Sequence, residues 1–318
     1  MMTKNNFFLR LIFIFILINS FVGGIFSQQN KMIVTEPVAD VWMYKPGPEV
    51  NNERNTQVLL GNKIVALKEE DGYLKVQVLD QEVFARLENK WIGCPGWIEK
   101  DQVIEVEEFP EYDLVVKEKT GAICDLSGEK ADLFVSIGTK LKSTGCCKDS
   151  FYTVLLPDRE EWVVEAQLVA KINQKNTNES VLRESICKIA KLFEGMNYTW
   201  GGRSSQSGVD CSGLVGICYQ AHGKTLPRNS CCQYQKCKKI IDGSELKPSD
   251  LIFLSKKGPD KISHVMIYLG GDQFIEAAGM DIQKVVVRDG EKVFGRKISE
   301  LRSGDETNYR TVYFGTYF

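Results

Sequence analysis

Hydrophobic periodicity changes character once along the chain, at residues 171–180, and that change divides what can fold on either side. From Lys31 to Ala170 the apolar residues fall in short β-type runs: Lys63–Leu67, Tyr73–Leu79, Trp97–Glu99, Leu114–Lys117, Phe151–Leu156 and Glu161–Glu165. Turn signals separate them, among them Asp71-Gly72, Cys94-Pro95-Gly96 and Leu156-Pro157-Asp158. Short strands at this pitch predict small all-β barrels or sandwiches. An internal echo divides the region in two. Gly96-Trp97-Ile98-Glu99 precedes Asp101-Gln102-Val103, and Glu161-Trp162-Val163-Val164 precedes Ala166-Gln167-Leu168-Val169. Both read as a Trp-bearing strand, a polar corner and a return. Two β modules are expected, over 29–108 and 109–170.

Residues 171–180 are polar, lack an apolar face and read as a linker. Beyond them Leu182, Ile186, Ile189, Ala190 and Phe193 form a helical stripe, with Asn178 or Ser180 as its cap and Gly195 past its end. A second helix is expected over about Cys211–Ala221, ended near Gly223. After Pro248 the pattern turns to strands: Leu251–Leu254, His264–Leu269, Gln273–Ala277, Lys284–Arg288 and Arg310–Tyr313. Helices first and an antiparallel sheet afterwards make residues 181–318 an α+β domain.

Residues 1–28 differ from the rest. Lys4 and Arg10 precede an apolar run from Leu11 that Asn19 interrupts, and Gly23, Gly24 and Ser27 follow. A basic start, a short apolar stretch and small residues predict a secretory signal peptide, hence a secreted or lumenal protein without stable membrane insertion after its removal. Ten cysteines suit such an oxidising compartment. Cys124 with Cys146 or Cys147, and bridges among Cys218, Cys231, Cys232 and Cys237, are the expected disulfides, their connectivity open. No Cys-x-x-Cys pair offers a zinc site, and no metal or organic cofactor is expected. Lys plus Arg total 40 against 42 for Asp plus Glu, which gives no basic field for nucleic acid.

The candidate chemistry centres on Asp210-Cys211-Ser212-Gly213, between a glycine-bearing loop and an apolar helix. A thiol in the first helical turn meets unpaired backbone N–H groups and the positive end of the dipole, and both favour the thiolate. Its base must be one of two histidines. His222 lies eleven residues along the same helix, about 16 Å away at 1.5 Å per residue, and reads as a cation near the helix C-terminus. His264 remains. It shares a strand face with Met266 and Tyr268, and a three-residue loop at Gly270-Gly271-Asp272 would pair Met266 with Glu276, bringing Glu276 beside His264 to orient the imidazole. Asp210 reads either as a carboxylate awaiting a substrate cation or as the helix N-cap. Asn178 and Asn197 begin glycosylation sequons, and the second, beside the site, is expected unmodified.

Tyr198-x-Trp-Gly-Gly, Asp210-Cys211-Ser212-Gly213, Leu226-Pro227-Arg228-x-Ser230, His264-Val-x-Ile-Tyr-Leu-Gly and Phe274-Ile-x-Ala together resemble the NlpC-type papain-like peptidases of bacterial cell-wall peptides, over about residues 190–318. The N-terminal part resembles paired bacterial-type SH3 barrels. The plan is similar to γ-D-glutamyl-L-diamino acid endopeptidases, implying two SH3-like barrels followed by an α+β papain-like catalytic domain. The resemblance implies Cys211 as nucleophile, His264 as base and Glu276 as the third polar residue, where the family often has His. Tyr198, Asp210, Ser212 and Ser230 match residues lining a pocket for L-Ala-γ-D-Glu, with the acid on the free amine. Glu53, before Thr56-Gln57-Val58-Leu59-Leu60-Gly61, matches a barrel acid reaching that amine. Cys94-Pro95 stand where the family barrel can supply a Tyr. The implied partner is a peptidoglycan stem peptide; the rival readings are an inactive wall-binding protein, an N-acetylmuramoyl-L-alanine amidase and an acyltransferase.

Overall fold

The computed structural model describes residues 30–119, 122–125, 132–145, 150–172, 178–280 and 282–318. The expected signal peptide, residues 173–177 of the linker and the two cysteines at 146 and 147 lie outside the described residues.

The echo in the sequence is a structural repeat. In the first module the sheet order is Arg54–Leu59, Val38–Trp42, Lys90–Glu99, Tyr73–Ala85, Lys63–Glu70, Asn30–Val34, Val103–Glu105. In the second it is Leu133–Phe134, Ala122–Asp125, Glu161–Glu165, Phe151–Leu155, Lys140–Ser143, Leu114–Val116, Val169–Lys171. Taken in chain order within each module, the two permutations are identical. The polar corners are 3₁₀ turns, Lys100–Gln102 and Ala166–Leu168, each between a Trp-bearing strand and the last strand. Period-2 alternation buries Leu74, Val76 and Val78 along Tyr73–Ala85. Asp71 and Gly72 both carry positive φ (49° and 79°), the backbone a tight hairpin needs to match strand twist. Neither sheet closes through pairing of its edge strands, so the established architecture is two like-folded β modules. The modules hold each other: Leu60 of the first is buried in the core of the second, the Tyr112 hydroxyl donates to Gly61 O at 2.7 Å, and Lys140 pairs with Asp80 at 2.8 Å.

In the C-terminal domain, helix Glu179–Leu192 is capped by Asn178, whose side chain accepts from Ser180 N, and helix Cys211–Gln220 is capped by Asp210. Gly195 and Gly223, beyond their ends, carry φ of +81° and +74°. The second of these helices is apolar all round because it is enclosed on every side; Leu214, Val215, Ile217, Cys218 and Tyr219 are all buried. The antiparallel sheet runs Lys238–Ile240, Thr311–Thr316, Leu251–Ser255, Ile262–Gly270, Gln273–Ala278, Lys284–Asp289. Leu251, Phe253, Val265 and Ile267 pack with the helices, while Ile252, Leu254, Met266 and Phe274 form a second core with Phe294 and Leu301 on the other face. Two short helices, Ser230–Lys236 and Gly290–Phe294, and the edge strand Lys238–Ile240 went unread in the sequence, being too short to show a period.

The hairpin that sets Glu276 differs from expectation in detail. Its turn is Gly271-Asp272, with φ of +58° and +65°, and Gly270 pairs with Gln273. A register shift between Tyr268 and Gly270 adds one unpaired residue, Leu269, so Ile267 still faces Ile275. The bulge restores the register that a bare two-residue turn would have lost.

Candidate active site

Cys211 begins the buried helix, and the loop before it is clamped by both β modules. Gln57 accepts from Arg203 N (3.0 Å), Arg54 donates to Trp200 O (3.2 Å), and Ser136 Oγ accepts from Ser205 N (2.9 Å). A Cβ on Gly213 would sit 2.1 Å from Gly202 O, so the loop closes onto the helix only with glycine there. His264 stands on the adjacent strand with Nε2 2.5 Å from Glu276 Oε2, which leaves Nδ1 for the Cys211 sulfur. Burial alone would lower the His264 pKa, but the charge of and hydrogen bond with Cys211, and then Glu276, overcome it and raise it to about 10. Burial would raise Glu276, yet His264 and Arg288 hold it below its ordinary range. Arg288 Nη1 lies 3.0 Å from Glu276 Oε1, so this carboxylate bridges two cations. Arg288 was not singled out in the sequence; its place opposite Phe274, on the strand next to Glu276, follows only from the register.

These shifts fix the signs of their pH dependence. His264, raised, stabilises the fold fully below its ordinary value of 6.5, and that contribution is lost as pH rises through about 10. Glu276, lowered, stabilises above its ordinary 4.5, and that contribution is lost as pH falls. Glu276→Gln keeps an acceptor for Nε2–H and is expected to lower kcat about 10-fold, while Glu276→Ala lowers it about 10²-fold or more. Both move the alkaline limb of the pH–rate profile to lower pH, because the imidazolium loses its stabilising charge. A Glu276→Ala profile superimposable on wild type would remove Glu276 from the triad.

Asp210 takes the N-cap role that was one of its two sequence readings. Its Oδ1 accepts from Gly213 N (2.7 Å), Ser212 Oγ (3.0 Å) and Arg228 Nη1 (3.1 Å), and its Oδ2 from Gly201 N (3.1 Å) and Arg228 Nη2 (2.6 Å). A carboxylate offers about four lone-pair sites, and these are taken. The buried charge is met by Arg228 of the Leu226-Pro227-Arg228 motif, and the N-cap reading is the one the geometry carries. Arg228 Nη1 also donates to Ser212 Oγ at 2.9 Å, and Arg228 Nε to Thr56 Oγ1 of the first module at 2.6 Å. Ser212 thus supports the Asp210–Arg228 pair.

Cys211, His264, Glu276, Tyr198, Asp210, Ser212 and Ser230 come together around one cavity of about 950 Å³. Glu53 does not join them: it is exposed, and the first module reaches the cavity through Met43 and Asn55. Cys94 and Pro95 line a neighbouring cavity of about 790 Å³ with Cys231 and Cys232. The expected bridges among Cys218, Cys231, Cys232 and Cys237 are not formed: all four thiols are free, and Cys231 Sγ and Cys232 Sγ are 3.9 Å apart, well beyond an S–S bond. Cys218 is sealed in the helix core instead. His222, expected as a cation, is pushed down by burial and so is neutral at neutral pH.

Residues 195–303 match the NlpC/P60 family. The C-terminal domain is an NlpC/P60 domain. Similarity extends well beyond it. A gamma-D-glutamyl-L-lysine dipeptidyl-peptidase of Bacillus cereus is 28% identical over 258 residues, 76% of this chain and 75% of that protein. Its Bacillus subtilis counterpart of the same name is 26% identical over 254 residues, 79% and 81% of the respective chains. The crystal structure of an NlpC/P60 family protein from Bacillus cereus superposes with a TM-score of 0.72 at 23% identity, covering 86% of this chain and 98% of that one. The shared fold therefore includes the β modules as well as the NlpC/P60 domain.

Proposed function

We propose that the chain is a secreted cysteine endopeptidase that hydrolyses the bond between γ-D-Glu and the diamino acid of peptidoglycan stem peptides. The observation that carries this reading is Cys211 at the start of a buried helix, facing a His264–Glu276–Arg288 chain inside a walled cavity. The names of the two Bacillus relatives support the bond, since both align over the β modules and the NlpC/P60 domain together. The SH3-barrel assignment of the β modules and the domain limits 29–108, 109–170 and 181–318 belong to the same proposal.

The chemistry follows from the placement. Cys211 Sγ attacks the γ-carbonyl carbon, and the oxyanion takes the Cys211 N–H, which has no intrahelical acceptor. The Tyr198 hydroxyl, raised by burial and then by the nearby Cys211 and Asp210 charges, stays protonated and serves as the second donor. The His264 imidazolium gives its proton to the departing amine, leaving a thioester. His264 then takes a proton from water, whose oxygen attacks the thioester carbon, and the Cys211 sulfur leaves as thiolate beside the restored imidazolium. Glu276 holds the ring and its charge throughout, and an intact nucleophile and base favour this reading over an inactive wall-binding protein.

A free N-terminal L-Ala on the substrate is supported sterically. The first module contributes Met43 and Asn55 to the cavity wall, and Arg54 packs on Gly201. Acetylating the amine, or leaving it joined to muramic acid, is expected to lower kcat/KM about 10²-fold, on the scale of ~3 kcal/mol of transition-state binding. Equal rates on free and acetylated peptides would remove the amine requirement; release of intact stem peptide from muramic acid would favour the amidase reading.

A further inference from the structure

Resting on that reading, we propose that Arg310 and Lys256 form a carboxylate-binding subsite for the leaving amino acid, selecting a diaminopimelate-type residue over lysine. The cavity is lined by two acids, Asp210 and Glu276, and four permanent cations, Arg228, Arg288, Arg310 and Lys256. Asp210 is matched by Arg228, and Glu276 by Arg288 and His264. Arg310 and Lys256 have no carboxylate partner among the described residues.

Topology brings these two together. Ser255 pairs with Thr311 on one side and with Ile262 on the other, so Lys256 and Arg310 emerge side by side at one end of the sheet, while Ser263, left unpaired by a register shift, directly precedes His264. Arg310 is held there. Its Nη1 donates to Ser263 Oγ at 3.1 Å, and its guanidinium lies over the Tyr309 ring at 5.2 Å. A planar fork fixed in this way, with no carboxylate partner among the described residues, suits a carboxylate.

The direction of the reaction assigns the subsite. The departing amine takes its proton from His264, so the leaving residue lies on the His264 side of the cleft, and the acyl half on the side of Cys211, Tyr198 and Trp200. A lysine side chain would bring an ammonium toward two cations that have no carboxylate partner among the described residues. A diaminopimelate side chain ends in a carboxylate as well as an ammonium, and the carboxylate is the group the cluster can hold.

The test compares kcat/KM for L-Ala-γ-D-Glu-meso-diaminopimelate, the same peptide amidated on the diaminopimelate side chain, the peptide amidated on the D-Glu α-carboxyl, and L-Ala-γ-D-Glu-L-Lys. The diaminopimelate peptide is expected to lead the lysine peptide by about 10-fold or more, the scale of a charge-assisted hydrogen bond. Side-chain amidation and Arg310→Gln should each erase most of that lead, should not add when combined, and Arg310→Lys should restore part of it. A ratio near one or below in wild type, or a ratio unmoved by Arg310→Gln, would overturn the subsite. A loss on D-Glu amidation that Arg310→Gln abolishes would place the carboxylate on the acyl half and overturn it equally. Cleavage of both peptides at equal rates sinks only this inference; cleavage of neither sinks the proposed function with it.

Discussion

His264→Ala is expected to lower kcat about 10³-fold, within the span of general acid–base catalysis, while Cys211→Ala leaves no turnover. Neither change opens a large void, because both side chains border the cavity; Cys211→Ala should melt near wild type, while His264→Ala, which removes the ion pair with Glu276, should melt lower. Iodoacetamide should inactivate the enzyme, and EDTA should not. Alkylation will reach a second thiol: the hydrogen bond from Cys232 holds Cys231 below the ordinary thiol range, and Cys231 also lines the active-site cavity. Peptide mapping should therefore show label on Cys211 and Cys231, with loss of activity following Cys211. Turnover by Cys211→Ala, or inactivation by EDTA that zinc reverses, would contradict a thiol mechanism.

Arg228→Met is expected to produce the largest loss of stability, about 3–5 kcal/mol, because it leaves Asp210 buried without its cation. The side chains concerned are 2% and 9% exposed, so solvent does not screen the pair. Asp210→Asn keeps the N-cap acceptor for Gly213 N but leaves the buried Arg228 cation without its carboxylate, so it should cost a comparable amount. Chemical denaturation of the two variants decides the point. If Arg228→Met were as stable as wild type, Asp210 would not depend on Arg228 and its role as a substrate ammonium receptor would reopen. The same arginine donates to Thr56 and, through its backbone N–H, to Glu82 O, so its loss also loosens the first module from the NlpC/P60 domain.

What the sequence carried, and what it did not, follows from the range of each interaction. The helix at Glu179–Leu192 was legible because its stripe, its Asn178 cap and Gly195 are all local. Cys211 and His264 were legible because a nucleophile at a helix start and a scarcity of histidines leave little choice. Glu276 was legible only through register: a three-residue loop gives it the same neighbour as the two-residue turn plus bulge that the hairpin contains. Arg288, Arg228 and the Thr56–Gln57 contacts were not legible, because each depends on how distant segments pack. Asp210 shows the limit most directly: beside Cys211 it read as a carboxylate in need of a cation, and that cation comes from 18 residues along the chain. The expectation of bridges among Cys218, Cys231, Cys232 and Cys237 failed similarly, since cysteine counts say nothing of where each sulfur points.

The most direct measurement of the central claim is product analysis after digesting L-Ala-γ-D-Glu-meso-diaminopimelate in ¹⁸O water with the wild-type protein. Passage through a Cys211 thioester at the γ-carbonyl predicts two products, free diaminopimelate without label and L-Ala-D-Glu carrying ¹⁸O in its γ-carboxyl, with none formed by Cys211→Ala. Release of alanine, label elsewhere, or an intact peptide would contradict the account.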